Sequence, residues 1–291
     1  MLKKIKELFI PQQLLKGNCG IEREMLRVDK NGYLSFTDHP EIFGDKVLNP
    51  YITTDFSESQ VEVITPALDK IEETYSFLKA LYDIVALEIG DEILWPQSMP
   101  CFIPEDDEIP VAKYSEEGRE AEEYRNKLLK KYGGKKQLIS GIHYNYSFNE
   151  EIIRKLYESS DKELTYKEYK NSIYLKVARN YLRYRWIIVY LLGAAPVIHE
   201  SFLNGCSCKL KQISEDGYTL DGAVSHRNGE CGYRNKEELY PNYDTVEDYV
   251  ESINKYVNDG VIDSHKELYS QVRLKAVSYT HLRAHETRSN L

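Results

Sequence analysis

Residues 20–28 read GIEREMLRV, and this stretch, together with two others, decides the fold. Residues 60–65 (QVEVIT) and 138–148 (LISGIHYNYSF) share its alternation of side chains or its content of β-branched and aromatic residues, which is typical of β-strands. All three segments are therefore predicted to lie in one sheet. Helical segments interrupt them without a repeat, without regular strand–helix alternation and without a glycine-rich dinucleotide turn. The sequence predicts an α+β fold.

Two amphipathic helices are predicted from the spacing of apolar residues. Residues 69–89 place apolar side chains on one face, with Asp69 as the expected N-cap, so this helix is expected to be part of the scaffold. Residues 245–258 form a shorter amphipathic helix, in which Thr245 caps the start and Gly260 follows the end.

Two further helices carry other patterns. Residues 116–132 are predicted as a helix with many charged side chains. Residues 166–193 read as one long helix whose second half, 186–195, is apolar nearly all round and is stopped by Pro196. Because a helix that is apolar on every side is normally buried, this half is predicted to be a central helix of the core.

Composition narrows the class of protein. With 291 residues and 42% hydrophobic content, the chain can bury a core as one large domain or two small ones. The formal net charge is -9 and the basic residues are scattered, so we expect no nucleic-acid partner. No apolar run reaches the roughly 18 residues that a membrane span needs, and the first ten residues lack an apolar signal core. We therefore expect a cytoplasmic protein with no membrane partner.

The five cysteines form an odd and dispersed set: Cys19, Cys101, Cys206, Cys208 and Cys231. Such usage is typical of reduced thiols in a cytosol. A zinc site normally needs two paired clusters with ligand spacing, so Cys206 and Cys208 by themselves are interpreted as ordinary loop thiols.

Two carboxylates on one strand give the first indication of chemistry. In GIEREMLRV, Glu22 and Glu24 are two residues apart and therefore point to the same face of the strand. Like charges this close repel each other. A half-buried strand tolerates them mainly when a cation compensates the repulsion.

The same alternation extends this patch to the other strands. It places Glu62 beside Gln60, and His143 beside Asn145. Three carboxylates supply the hard oxygen ligands that suit Mg²⁺ or Mn²⁺, with positions left for phosphate oxygens and water. His143 is a less usual Mg²⁺ ligand, and the alternative role for it is a hydrogen bond to a phosphate. The alternative is that all these side chains are solvated faces of edge strands.

Four ordered motifs carry a family resemblance. They are GIEREMLRV, TTDFSESQVEVITP, WPQSMPC and ISGIHYN, at residues 20–28, 53–66, 95–101 and 139–145. In this order and at these separations the chain resembles the glutamate–cysteine ligase family from about residue 20 to residue 275. The resemblance includes residues 180–196, SHRNGECGYRN at 225–235 and KELYSQVRLK at 266–275.

The resemblance implies a fold and a reaction. The fold is glutamine-synthetase-like, with a largely antiparallel sheet that forms an open funnel and helices packed outside it. The γ-carboxylate of L-glutamate attacks the γ-phosphate of ATP, and the amine of L-cysteine captures the resulting γ-glutamyl phosphate, with Mg²⁺ or Mn²⁺ as cofactor. This is the first step of glutathione biosynthesis.

Site residues are implied in the same way. Glu22, Glu24 and Glu62 correspond to the catalytic carboxylates, and together with His143 they correspond to the metal ligands, while His143 and Asn145 lie at the ATP phosphates. The family's aromatic-lined cysteine pocket falls on Phe56, Tyr124, Arg125, Leu128, Tyr233 and Tyr269. Arg227 matches the arginine that pairs with a substrate carboxylate, a task that suits a planar guanidinium with two parallel donors.

The end of the chain departs from the family pattern. The family continues into a segment resembling GIEYIEVRSLD, which supplies another metal-binding Glu and a catalytic Arg, and neither is found here. We therefore expect residues 1–277 to form an incomplete catalytic domain that is inactive by itself. Residues 278–291 (SYTHLRAHETRSNL) resemble translated sequencing-adapter read-through and are expected to be non-native, although a native disordered tail is the alternative.

Two other function classes stay open. Another carboxylate–amine ligase on the same scaffold would keep Glu22, Glu24 and Glu62 but need not keep the pocket formed by Tyr124, Tyr233 and Tyr269. A non-catalytic nucleotide or amino-acid binding domain would bind these ligands without turnover.

Overall fold

The computed structural model describes residues 2–206, 208–232 and 239–262 of the chain. Composition allows one large domain or two small ones, and the described residues form two compact units. The first unit contains residues 2–18, 146–191 and 239–262. The second unit contains residues 19–145 and 192–232.

Helices and strands alternate irregularly along the described chain. Its α-helices are α1 (Leu2–Leu8), α2 (Pro11–Leu14), α3 (Ile71–Glu88), α4 (Arg119–Tyr132), α5 (Glu150–Glu158), α6 (Tyr166–Leu192) and α7 (Val246–Asn258). Its strands are β1 (Gly17–Val28), β2 (Ile52–Thr54), β3 (Gln60–Ile64), β4 (Ile93–Leu94), β5 (Ile142–Phe148), β6 (Ile198–His199), β7 (Lys211–Gln212) and β8 (Gly217–Thr219).

Strand β1 organises a five-stranded sheet. The order is β2-β3-β1-β4, and β5 also pairs with β1. Strands β3 and β4 run antiparallel to β1, and β2 runs antiparallel to β3. A smaller antiparallel sheet has the order β6-β8-β7. The prediction of an α+β fold with a largely antiparallel sheet is confirmed.

The predicted strands are present with shifted ends. Strand β1 begins earlier than predicted, at Gly17, and β3 ends at Ile64. The prediction of a strand from residue 138 is wrong for its first residues, because a 3₁₀ turn covers Lys135–Leu138 and β5 begins at Ile142. Leu138 and Ile139 are buried in a hydrophobic core there, so their apolar character reflects packing rather than strand pairing.

The two faces of β1 and β3 have different environments. Met25, Val61 and Val63 pack with residues of α3, which include Leu81 and Val85. This confirms the prediction that the helix near residues 69–89 is scaffold. Side chains at the alternate positions, among them Glu22 and Glu62, therefore lie on the opposite face of the sheet.

The predicted cap of that helix is wrong. Lys70, not Asp69, is the N-cap of α3, and its side chain makes no capping hydrogen bond. Two acidic residues in the first turn, Glu72 and Glu73, lie where the positive end of the helix dipole favours them. The acidic side chains at the start of this helix therefore lie in its first turn and not at the N-cap position.

In the first unit, α6 packs with α7 over part of its length. Leu175 is buried with Tyr243, Tyr249 and Ile253. Helix α7 starts as predicted, because the Thr245 side chain accepts a hydrogen bond from the backbone N–H of Asp248.

The prediction of a buried central helix at residues 186–195 is wrong in the described part of the chain. Trp186 is 62% exposed, Tyr190 68% and Leu192 75%. Among the described residues of α6, those that are buried are Ile173 and Leu175, both in its first half. The second half is apolar, but no described element covers it.

The cysteines are not all separate thiols. Cys206 and Cys231, 25 residues apart in the sequence, form a disulfide, so the expectation of reduced thiols is wrong for this pair. The Cys208 sulfur lies 3.4 Å from that of Cys231. Cys19, Cys101 and Cys208 are free.

Within the described ranges, none of the helices has both the length and the apolar content that crossing a lipid bilayer demands. The non-native tail expected at residues 278–291, and with it the boundary at residue 277, lies outside the described residues. Both stay predictions.

Candidate active site

Strands β1 and β3 bring three carboxylates to one face of the sheet. Glu24 lies directly opposite Glu62 in the antiparallel register, and Glu22 lies opposite Ile64. Glu22 and Glu62 are buried, at 1% and 6% exposure. Arg23 points the other way, where its guanidinium carbon lies 5.2 Å from the centre of the Tyr82 ring. The solvated edge that the sequence left as an alternative is therefore not what these side chains form.

Strand β5 adds an imidazole and an amide to this face. His143 lies between two carboxylates, with its Nδ1 3.4 Å from Glu22 Oε2 and its Nε2 3.7 Å from Glu24 Oε1. The Glu22 carboxylate beside it raises the pKa of His143 above its usual value, and Glu24 adds to this effect. Asn145 Nδ2 donates to Glu22 Oε1 at 2.8 Å. The backbone N–H of Gly141 donates to Glu24 Oε2 at 2.7 Å.

Asp55 is a fourth carboxylate that the sequence prediction missed. It directly follows β2, and its backbone N–H donates to the carbonyl of Gln60, the first residue of β3. Its charge is among the causes that raise the pKa of both Glu24 and Glu62. Alternation along a strand could not reveal Asp55, because it lies past the end of β2. The sequence feature that could have identified Asp55 as a site residue is its position in the motif TTDFSESQ.

The electrostatics of this cluster disfavour full ionisation. Burial, and then the charge of Asp55, raise the pKa of Glu24 to about 8. Burial, Asp55, Glu24 and Glu22 together raise the pKa of Glu62 well above its ordinary value. Buried like charges repel strongly because water does not screen them. A bound cation would relieve this repulsion.

The donor chemistry of the cluster fits a hard divalent cation. Glu22 Oε2 is buried and accepts no hydrogen bond of good geometry in the described structure, although His143 Nδ1 lies 3.4 Å from it. This oxygen therefore has a lone pair available for an ion. Carboxylate oxygens are the ligands that Mg²⁺ and Mn²⁺ prefer. In the described part of the chain, no three side chains of His, Cys, Asp or Glu are gathered closely enough around one point to hold an ion. Coordination by this cluster therefore requires carboxylates or His143 to turn toward a common point.

Arg227 reaches the same face from the loop after β8. Its Nη1 donates to the carbonyl of Ile139 at 3.2 Å, and its positive charge acts to lower the pKa of Glu24 and of His143. A Cβ atom at Gly141 would lie 2.4 Å from Arg227 Nη2. Glycine at 141 is therefore what lets the guanidinium approach the carboxylates.

Helix α4 and the segment after β2 place the residues of the implied substrate pocket. Arg125 is buried, at 5% exposure. Its Nε donates to the carbonyl of Asp55 and its Nη1 donates to that of Ala121 at 3.1 Å. Phe56 is buried in the core and Leu128 packs against that core. Tyr124 is half-buried, and Tyr233 and Tyr269 lie outside the described residues.

Comparisons with known proteins show which family the chain resembles. The family model for glutamate–cysteine ligase matches residues 2–260. The glutathione biosynthesis bifunctional protein GshAB of Clostridium perfringens is 46% identical over 279 residues, which are 95% of this chain and 36% of that protein. The corresponding protein of Desulfotalea psychrophila is 45% identical over 92% of this chain and 35% of its own length. The chain thus spans about a third of the length of these relatives.

Solved structures give the same result. The bifunctional glutathione synthetase of Pasteurella multocida superposes with a TM-score of 0.77 and 36% identity, over 91% of this chain and 33% of the other. The glutamate–cysteine ligase of Francisella tularensis, solved in complex with AMP, gives 0.74 and 32% identity, over 84% of this chain and 48% of the other. The family model matches residues 2–260, and relatives that are 45–46% identical align with more than nine tenths of the chain. On these grounds the chain belongs to the glutamate–cysteine ligase family.

Proposed function

We propose that this chain contributes the N-terminal part of an ATP-dependent ligase that joins the γ-carboxylate of L-glutamate to the amine of L-cysteine. The observation that carries the proposal is the cluster of Glu22, Glu24, Glu62 and Asp55 in a chain of the glutamate–cysteine ligase family. Glu22 and Glu62 are buried in this cluster. An acidic site suits an anionic nucleotide once cations are bound, because they reverse the local charge. The relative solved with AMP supports ATP as the nucleotide.

Glu22, Glu24 and Glu62, with His143, are the residues that would hold Mg²⁺ or Mn²⁺. Bound there, the cation would neutralise phosphate charge as the glutamate carboxylate approaches. Asn145 fixes the orientation of Glu22 by donating to its Oε1. The Gly141 N–H does the same for Glu24 by donating to its Oε2. These hydrogen bonds leave the remaining carboxylate oxygens for the cation.

Two arginines provide positive charge at the edge of this cluster. Arg227 is placed to pair with a substrate carboxylate, because its guanidinium lies close enough to Glu24 and His143 for its positive charge to lower the pKa of both. Arg125 lies near Glu62 from the other side. We assign Arg125, with Tyr124, to the pocket that accepts cysteine.

The metal assignment is tested by calorimetry on this chain. Mn²⁺ is expected to bind the wild-type chain, and the double variant Glu22→Gln/Glu24→Gln is expected to lose at least about tenfold in affinity, because two of the hard ligands are removed. Glu72→Gln/Glu88→Gln, which changes two exposed carboxylates of α3, is the control with the same two types of substitution. Equal affinity in the two double variants would rule out the carboxylate face as the metal site.

The reaction is tested in a hybrid enzyme. In it, residues 1–262 replace the segment of the Clostridium perfringens relative that aligns with them. ADP release is expected to require both glutamate and cysteine. Release with many amines at similar rates would favour another carboxylate–amine ligase, and ligand binding without turnover would favour a binding domain.

We also expect a cytoplasmic location, where ATP and reduced cysteine are both supplied. Fractionation of cells that express the tagged chain would check this.

A further inference from the structure

We infer that Tyr114 is a positioning residue. Its ring holds the Arg125 guanidinium in the orientation in which Arg125 contacts the acceptor amino acid. The inference rests on the proposed function for the identity of that acceptor. The contact between the two residues does not depend on it. Neither the four motifs nor the carboxylate face includes Tyr114.

The contact is a cation–π interaction in a largely buried place. The guanidinium carbon of Arg125 lies 4.8 Å from the centre of the Tyr114 ring. Such a pair is strengthened when water is excluded, and Arg125 is 5% exposed. Burial also raises the pKa of the Tyr114 hydroxyl, so the ring remains neutral at physiological pH and its face attracts the cation.

The ring is itself fixed to the strand that leads to Asp55. Tyr114 Oη lies 3.2 Å from Thr54 Oγ1 and 3.3 Å from the Thr54 carbonyl, to which it can donate. The backbone N–H of Tyr114 donates to Glu122 on α4 at 2.9 Å. The residue therefore ties the end of β2 to the helix that carries Arg125.

Close packing holds Tyr114 from the other side. A Cβ atom at Gly118 would lie 2.5 Å from Tyr114 Cβ and 2.8 Å from Val47 Cγ2. A side chain at 118 would displace Tyr114. Glycine there allows the turn before α4 to press against the tyrosine.

Arg125 is held by backbone carbonyls, and its positive charge also acts on the nearby Glu62 carboxyl group. Its hydrogen bonds go to two backbone carbonyls, those of Asp55 and Ala121. A guanidinium anchored by carbonyls and a ring keeps its positive charge for a ligand carboxylate. The Tyr114 ring is therefore one of the groups that fix its position.

The first experiment is a double-mutant cycle in the hybrid enzyme. Tyr114→Leu is expected to raise the KM for cysteine about five- to tenfold, the size of a largely desolvated cation–π contact, with kcat and the KM for ATP changed less than about twofold. Tyr114→Phe keeps the ring face and is expected to stay within about twofold of wild type. In an Arg125→Met background, Tyr114→Leu is expected to add almost nothing, because residues that act through one another are not additive. Tyr75→Leu, at an exposed tyrosine of α3, is the control.

A second measurement covers the case in which Tyr114→Leu does not fold. Phenylalanine with one, two or three ring fluorines, placed at 114, weakens the cation–π attraction stepwise with little change in size. The KM for cysteine is expected to rise along the series. A flat series, additive effects of Tyr114→Leu and Arg125→Met, or a rise in the KM for ATP instead would overturn the inference.

The two proposals fail in different ways. A hybrid without glutamate- and cysteine-dependent ADP release would contradict the proposed function, whatever Tyr114 does. In that case the coupling between Tyr114 and Arg125 is measured by urea unfolding of this chain, where non-additive losses support the contact and additive losses overturn it. If the hybrid is active and substitutions at position 114 leave its KM for cysteine unchanged, the inference is overturned and the proposed function stands.

Discussion

His39 illustrates how far a single residue can depart from its solution chemistry. It is 6% exposed, and neither ring nitrogen has a hydrogen-bond partner within the described structure. It lines a cavity of about 210 Å³, together with Lys46 and Tyr114. Burial, and then the charges of Lys46 and Arg27, lower the pKa of His39 to about 4. The imidazole is therefore neutral in the folded protein at pH 7.

This depressed pKa gives a pH-dependent stability. The unfolded chain protonates His39 near pH 6.5 while the folded chain does not, so the stabilisation is complete above that pH and is lost as the pH falls toward 4. Between pH 7 and pH 5, wild type is expected to lose about 2 kcal/mol more unfolding free energy than His39→Phe. Urea unfolding at the two pH values measures the difference. Equal losses in both proteins would mean that His39 titrates normally.

At the residue scale, alternation was enough to place Glu22 and Glu24 on one face, because side-chain direction in a strand depends only on sequence parity. Asp55 was missed for the same reason, since it lies past the end of β2, where parity has no meaning. The approach of Arg227 to Gly141 involves residues 86 positions apart in sequence and depends on the folded chain. No local sequence pattern therefore predicts this approach.

At the scale of elements, α6 shows that the extent of a helix can be predicted from the sequence when its burial cannot. The extent of the helix was predicted within a residue at its end, since helical propensity and the position of Pro196 are local. Its burial was not, because apolar residues indicate that a face can be covered but not which segment covers it. In the described chain, Leu191 is 68% exposed whereas Leu175 is 1% exposed.

Two identical substitutions on α6 should therefore have different costs. Leu175→Ala removes a buried side chain from the cluster with Tyr243 and Tyr249, so it is expected to cost about 2 to 5 kcal/mol of unfolding free energy. Leu191→Ala is the same substitution in the same helix, so the change in helix propensity is the same. Because Leu191 is exposed, the substitution is expected to cost less than about 0.5 kcal/mol of unfolding free energy. Urea unfolding of this chain checks both values. A large loss for Leu191→Ala would show that the second half of α6 is covered after all.

At the scale of the whole molecule, the carboxylate face lowers the stability of the folded chain, and the burial of apolar side chains elsewhere must compensate for this loss. Four carboxylates are gathered where burial and mutual repulsion raise the pKa of Glu24 and Glu62. Natural proteins often keep such a site because function requires it, at the expense of stability. Stability and metal binding are therefore expected to respond in opposite directions to changes at this face.

Glu62→Gln tests this opposition. Without metal, the variant is expected to be more stable than wild type by about 1 to 2 kcal/mol, because it removes a buried carboxyl group from among like charges while keeping its size and hydrogen-bonding capacity. With Mn²⁺ at about 100 times its dissociation constant, wild type is expected to gain about 2.7 kcal/mol and the variant much less. Urea unfolding with and without Mn²⁺ gives both numbers, and Glu72→Gln on the exposed face of α3 is the control. A variant that is less stable without metal, and gains as much from Mn²⁺ as wild type does, would show that Glu62 is a structural hydrogen-bonding group and not part of a cation site.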